Sequence, residues 1–308
     1  MTPHHTTPNY STMKKLVLQI AAVLAITACG SIRNAGINES TQNFRIGTYN
    51  VWRSDIGKGD YAWEVRKDRL AQSIVDLNLD VFGIQEVDLT IQKELPGLLA
   101  KHNSPDYGWY IFSPYSQDGI GDKAQAILYR KDRYELVESH NFWLSETPEI
   151  KSYGWDEHEY CRGGLCVVFK DKKSGQKIFV MHSHFPLGSE AKKNAADVII
   201  AMEQKYNKEG LPAFFLGDLN NRPDTPGSQK LRTHWTDSYL YLPQESREGS
   251  QATFNGHDVD RDMNTTQRID YVYFRNGATP LKYHCSNKKY DGFWPSDHCA
   301  VYVDMQIN

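Results

Sequence analysis

The sequence predicts one α/β domain with strands and helices mixed along the chain (α+β), and three observations predict it. Short apolar runs such as Phe44–Val51, Val81–Ile84 and Phe214–Leu216 have the length and composition of buried strands. Longer segments near 61–77, 88–102 and 190–206 read as helices. From residue 44 to the end no internal repeat, low-complexity tract or linker intervenes. At 308 residues, 40% hydrophobic and 12% aromatic, the chain can bury a single large core.

The elements follow an N-terminal segment of a different kind. Lys14-Lys15 precede an apolar run from Leu16 to Ile26, too short to span a bilayer but suited to a signal-peptide core. It closes on Ile26-Thr27-Ala28-Cys29, which resembles a bacterial lipobox, whose cysteine is acylated after cleavage. The alternatives are an ordinary signal peptide or a buried helix, and Met13 is a candidate start. The expected organisation is a leader over 1–28, a lipidated Cys29 on a tether over 29–43, and a folded domain over 44–308. That predicts an exported, membrane-anchored lipoprotein, periplasmic or on the cell surface, touching the membrane by its lipid alone.

Without residues 1–28 the chain carries 33 basic and 38 acidic residues, a net charge of −5 with His neutral. A protein that held long nucleic acids by phosphate neutralisation would usually be basic, so a local site must do the recognition. Cys161, Cys166, Cys285 and Cys299 remain, and in an oxidising compartment they are expected to pair locally, Cys161 with Cys166 and Cys285 with Cys299, unless they stay free and buried. No zinc-type spacing is present.

In the domain, strand after strand ends on a polar group. The strand 44–51 carries Asn50 at its end, and Val81–Ile84 runs into Gln85-Glu86. Asp88 is expected to cap a helix to about His102, interrupted by Pro96. Further strands are expected near 107–114, 124–130, 134–144 and 165–170. Lys177–Met181 leads into His182-Ser183-His184, whose two histidines face the same way in an extended chain. A helix from Glu190 to Tyr206 feeds Phe214-Phe215-Leu216-Gly217-Asp218-Leu219-Asn220, where alternation would put Asp218 and Asn220 on one side. Arg268–Tyr273, Ser296-Asp297-His298 and a strand from Ala300 to Met305 complete the chain.

Asn50, Glu86, His184, Asp218, Asn220, Asp270, Asp297 and His298 thus sit at ends or edges of apolar strands. Each alone is more simply a turn or a solvated edge residue. Together, carboxylates and amides with two histidines and no cysteine are hard-cation chemistry, pointing to Mg²⁺ or Mn²⁺ and to phosphoryl transfer.

The blocks Thr48-Tyr49-Asn50, Ile84-Gln85-Glu86-Val87, His182-Ser183-His184, Gly217-Asp218-Leu219-Asn220, Arg268-Ile269-Asp270-Tyr271 and Ser296-Asp297-His298 resemble, in order and spacing, the endonuclease/exonuclease/phosphatase superfamily with the deoxyribonuclease I-like fold. Phe142–Pro148 with Gly154-Trp155-Asp156 is similar to an exported bacterial branch. The resemblance implies a four-layer α-β-β-α sandwich of two mostly antiparallel sheets with a site at one rim. It also implies roles. Glu86 would be the principal metal ligand, with Asn50 and Asp297; Asp218 would orient or deprotonate the attacking water, with Asn220 beside it. Asp270 would hold His298 on the phosphate, and His184 would donate to another phosphate oxygen.

Two departures from the pattern stand out. Where many relatives have a Glu that steadies the histidine equivalent to His184, this chain has Lys123, with Asp122 beside it. Pro186 and Leu187 stand where the bacterial branch has an Asp-His pair. Arg162, Arg53 and Trp294, with Trp143 and Trp155, are the candidates for substrate contact. The expected activity is metal-dependent hydrolysis of a phosphodiester or a small phosphorylated compound by a monomer. A secreted nuclease acting on DNA or RNA, a sphingomyelinase-like or inositol-phosphate activity, and a surface lipoprotein with weakened catalysis are the alternatives.

Overall fold

The period-two alternation of the apolar strands decides the layers. In the first strand Phe44 and Ile46 point into one core while Tyr49 points into another, so the strand is buried on both faces. The computed structural model describes residues 42–116, 118–265 and 267–307. The expected leader, Cys29 and nearly all of the expected tether lie outside them. The first strand begins two residues earlier than expected, inside the tether's predicted end.

Thirteen strands are described: β1 (Gln42–Asn50), β2 (Val81–Val87), β3 (Tyr107–Phe112), β4 (Ala124–Arg130), β5 (Tyr134–Trp143), β6 (Gly163–Asp171), β7 (Lys177–His184), β8 (Ala213–Asp218), β9 (Thr236–Asp237), β10 (Arg247–Gly249), β11 (Asp270–Arg275), β12 (Ala278–Ser286) and β13 (Ala300–Ile307). The α-helices are α1 (Trp63–Leu77), α2 (Leu89–Lys101), α3 (Ser189–Tyr206), α4 (Pro226–Leu231) and α5 (Ser238–Tyr241). One sheet runs β10-β12-β13-β1-β2-β4-β3 and the other β5-β6-β7-β8-β11-β9. Most neighbours are antiparallel; the parallel pairs are β1 with β2, β7 with β8 and β10 with β12.

Three cores separate four layers. Between the sheets lie Phe44, Ile46, Val180, Phe214, Leu216 and Val272. Outside the first sheet, Leu70 and Ile74 of α1 and Ile91 and Leu95 of α2 cover Tyr49, Phe82 and Ile84. Outside the second, Ala195 and Ile199 of α3 cover Phe179, Met181 and Phe215. This is the α-β-β-α sandwich of the deoxyribonuclease I-like fold. Among the described residues no helix is long and apolar enough to cross a membrane.

Three expectations need correcting. Asp88 does cap α2, its carboxylate accepting from the Ile91 N–H at 2.9 Å, but Pro96 lies inside the helix rather than interrupting it. Pro96 is exposed and has no N–H to give the helical ladder, and the helix continues past it. Cys161 and Cys166 are free thiols in different cores, the first between the sheets and the second under α3. Five residues of extended chain carry their Cα atoms roughly 16 Å apart, well beyond disulfide reach. Cys285 and Cys299 do share the inter-sheet core, but as thiols, their mutual contact pushing the Cys299 thiol up.

Candidate active site

The inward-facing side chains at the ends of five strands meet at one rim. On β7 the inner face reads Ile178, Val180, His182, His184, and on β8 it reads Phe214, Leu216, Asp218. Parallel pairing sets His184 opposite Asp218, and antiparallel pairing sets Asp270 opposite Asp218. Gly217 is required here for close approach, since a Cβ would meet the Ser183 carbonyl oxygen of β7 at 2.0 Å.

Glu86 reaches the same rim by a different route. Strict alternation along β2 would send it to the outer face, but the strand bulges between Ile84 and Val87, and Glu86 has φ of 63°. The bulge keeps Gln85 between the sheets and turns Glu86 toward Asn50, whose Nδ2 donates to Glu86 Oε1 at 3.0 Å and to Asp218 Oδ2 at 3.1 Å.

His298, in the turn before β13, is buried with its Nδ1 2.9 Å from Asp270 Oδ2 and its Nε2 3.7 Å from Asp218 Oδ2. Burial alone would lower its pKa, but Asp270 and Asp218 overcome that and hold it well above the ordinary histidine range. Burial, with Asp270 nearby, pushes the Asp218 carboxyl up against the pull of His298. His184, its Nε2 3.4 Å from Asp218 Oδ2, is held well below its usual value by burial and by Arg162 and His298, and is therefore neutral.

Asp218, Asp270 and His298 offer ligand atoms within 4.8 Å of one another, yet His298 already serves as countercharge to both acids. Glu86 and Asp297 have no ion-pair partner among the described residues. Burial, then Glu86 and Asp218, push the Asp297 carboxyl up to about 7 against the pull of His298 and Arg66. Two acids without an ion-pair partner crowding one rim fit a hard divalent cation, which would relieve their mutual repulsion. Asn50 fits less well as a ligand: its Oδ1 accepts from the Trp52 N–H at 3.0 Å and its amide hydrogens face the acids, so it bridges Glu86 to Asp218.

Of the other expected residues, Asn220 does not continue the alternation. The strand ends at Asp218, and Asn220 turns left-handed with φ of 48°; its N–H donates to Asp218 Oδ1 at 2.9 Å and its Nδ2 to the Phe185 carbonyl at 3.1 Å. Asp122 accepts from the Leu89 N–H at the start of α2 through its Oδ1, and makes no hydrogen bond to His184 among the described residues. Arg53, paired with Asp55, and Arg162 line a cleft shared with Glu86 and His184. Trp294 is a correction. It is 4% exposed, packed in the inter-sheet core, and gives its indole N–H to the Asp258 carbonyl, so it has no face to offer a substrate. Trp143 is likewise buried, its N–H bound to the Pro114 carbonyl.

Two supports were missed by sequence reasoning. Arg66 of α1 is fully buried and donates to the carbonyls of Val51, Trp52, Arg53 and Pro295, tying the loop after β1 to the segment that carries Asp297. An arginine among the apolar positions of a predicted helix was the available signal. Gln85 bridges Thr48 Oγ1 at 2.7 Å and the ring of His182 at 3.1 Å, a buried polar ladder across the sheets beneath the site.

A model described as the Endonuclease/Exonuclease/phosphatase family matches residues 47–298. The chain belongs to this family. An endonuclease/exonuclease/phosphatase family protein from Bacteroides thetaiotaomicron superposes with a TM-score of 0.77 at 25% identity, covering 87% of this chain and 99% of that one. The mannosyl-6-phosphatase of the same organism gives 0.74 at 26% identity over 85% and 99%. A protein of Acanthamoeba polyphaga mimivirus is 24% identical over 165 residues, 52% of this chain. The match spans 60% of that relative, and a match to a second protein of the virus spans 43%. Within this chain Glu86 and His184 share a cleft with Lys123, and Asp218, Asp270 and His298 cluster at the same rim.

Proposed function

We propose that the chain is a divalent-metal-dependent phosphoesterase that hydrolyses a phosphodiester or a small phosphorylated compound outside the cytoplasm. The observation that carries this reading is the convergence on Asp218, which lies within 3.7 Å of both His184 and His298 while Asp270 holds His298 from behind.

Asp218, its carboxyl raised by burial, orients the attacking water and takes its proton. The cationic His298 binds a phosphoryl oxygen and holds it more tightly as charge builds in the transition state. Asp270 keeps that imidazole charged and aimed, and Asn50 fixes Asp218 against Glu86. Bound at Glu86 and Asp297, Mg²⁺ or Mn²⁺ would polarise a phosphate oxygen and steady the leaving oxygen.

A small substrate is favoured over long nucleic acid by the acidic balance of the chain and by the 26% identity to a mannosyl-6-phosphatase. Purified protein with Mg²⁺ or Mn²⁺ should hydrolyse bis(p-nitrophenyl) phosphate, and Glu86→Gln or His298→Ala should abolish it. Absence of turnover across mono- and diesters would overturn the proposal. Location is tested separately: Cys29→Ala should move the protein from membranes to the soluble fraction, and unchanged retention would remove the lipid anchor.

A further inference from the structure

Beside the reacting rim lies a cleft of about 180 Å³ lined by Glu86, His184, Arg53, Lys123, Arg162 and Tyr160. Its volume corresponds to roughly six waters, room for a phosphate-sized group. The charges in it are unbalanced. Arg53 has Asp55 as its partner, but Lys123 and Arg162 make no ion pair with any described residue. Both are half-buried, and the Nε of Arg162 is buried without a hydrogen-bond partner among the described residues.

What holds these cations is aromatic rather than acidic. The Lys123 ammonium lies 4.7 Å from the Tyr160 ring centroid and 5.1 Å from that of Tyr115, and the Arg162 guanidinium lies 5.5 Å from Tyr160. Ring faces fix the positions of cations without neutralising them. Lys123 also sits in the left-handed region with φ of 53°, just before β4, which turns it out of the strand at the cleft. A phosphoryl group under attack would have His298 and a divalent ion held by Glu86 and Asp297, so two further cations without an ion-pair partner exceed what one phosphate needs.

We infer that this cleft is a second anion subsite, with Lys123 and Arg162 as its specificity-determining residues, and that the substrate class is a small compound bearing a second phosphate near the one removed. The inference rests on the phosphoesterase reading for the reaction and on the cleft alone for the second anion. Half-buried cations that lack an acid partner regain on anion binding the interactions that partial desolvation took from them.

The test compares a hexose bisphosphate with the matching hexose monophosphate. Wild-type protein should prefer the bisphosphate in kcat/KM by about tenfold, the scale of one charge-assisted contact. Lys123→Met should reduce that preference to within about threefold, and Lys123→Arg should retain most of it. Calorimetric titration of the bisphosphate into metal-free protein should show the same ranking without turnover. A preference and an affinity unchanged in Lys123→Met would overturn the subsite, as would equal binding of both sugars by the wild type. So would a Lys123-dependent gain seen only with short oligonucleotides. Lys123-dependent binding without hydrolysis of any ester would sustain the subsite and overturn the reaction.

Discussion

His298 Nδ1 and Asp270 Oδ2 lie 2.9 Å apart in a fully buried contact, with Asp218 facing the far side of the same ring. The imidazole is thereby held charged by two acids and oriented by one. Replacing Asp270 by Asn keeps the shape and removes the charge, so kcat should fall by about 10² to 10⁴-fold, the range of a lost acid–base partner, with KM changed little. Steady-state kinetics on a diaryl phosphate diester checks this; a variant with wild-type kcat would remove Asp270 from the chemistry.

Glu86 and Asp297 are acids at the rim without an ion-pair partner among the described residues, and chelation by EDTA should stop turnover until Mg²⁺ or Mn²⁺ is restored. Glu86→Gln should largely abolish Mn²⁺ binding in calorimetry. Asn50→Ala, which removes a hydrogen bond to Glu86, should weaken it by about 10-fold or more, as for other residues that support a ligand. Equal affinities in the wild type and Asn50→Ala would show that Asn50 does not position Glu86.

His182 is buried between the sheets, and burial lowers its pKa from 6.5 to about 4, so it folds neutral. Its unfolded-state pKa is the higher one, hence the unfolded chain takes up the extra proton as pH falls. Its contribution is complete above about pH 6.5 and is lost between there and about pH 4, on the order of 3 kcal/mol. Denaturant midpoints measured across that window should decline, and His182→Gln should flatten the decline. Gly83→Ala should destabilise at every pH, because a Cβ there would come within 2.1 Å of the His182 ring.

Arg268 meets Asp237 through two hydrogen bonds, 3.1 and 2.7 Å, with both side chains buried. Asp237→Ala leaves a guanidinium uncompensated in the interior and should cost about 3–5 kcal/mol. Replacing both residues by apolar ones should recover much of that loss. Chemical unfolding of the single and double variants decides it.

The strand ends were legible because alternation is a property of the backbone: once Phe214 and Leu216 face inward, Asp218 must follow, and the same rule places His184 and Asp270. What escaped was set by local breaks in that rule. A bulge and left-handed backbone aim Glu86, a conformation its residue type does not announce, and a left-handed turn re-aims Asn220, which only the general tolerance of asparagine for that region hints at. Trp294 stands close to Asp297 in sequence but turns into the core, since adjacency along a loop does not fix direction. Strand β12 carries Pro280, Lys282 and His284 and therefore lacks an apolar run. The cleft brings Tyr160 against Tyr115 and Lys123 from a separate stretch of the chain, which no local pattern connects.

The bond from Asn50 to Asp218 joins a strand of one sheet to a strand of the other, and Glu86 and Asp218 arrive from opposite sides of the sandwich. Sliding one sheet over its partner by an ångström would therefore spoil the spacing of the reacting groups while every strand remained paired with its neighbours. Inactivation on warming or in mild denaturant should precede any loss of secondary structure, so that turnover reports the seating of the two sheets earlier than circular dichroism does.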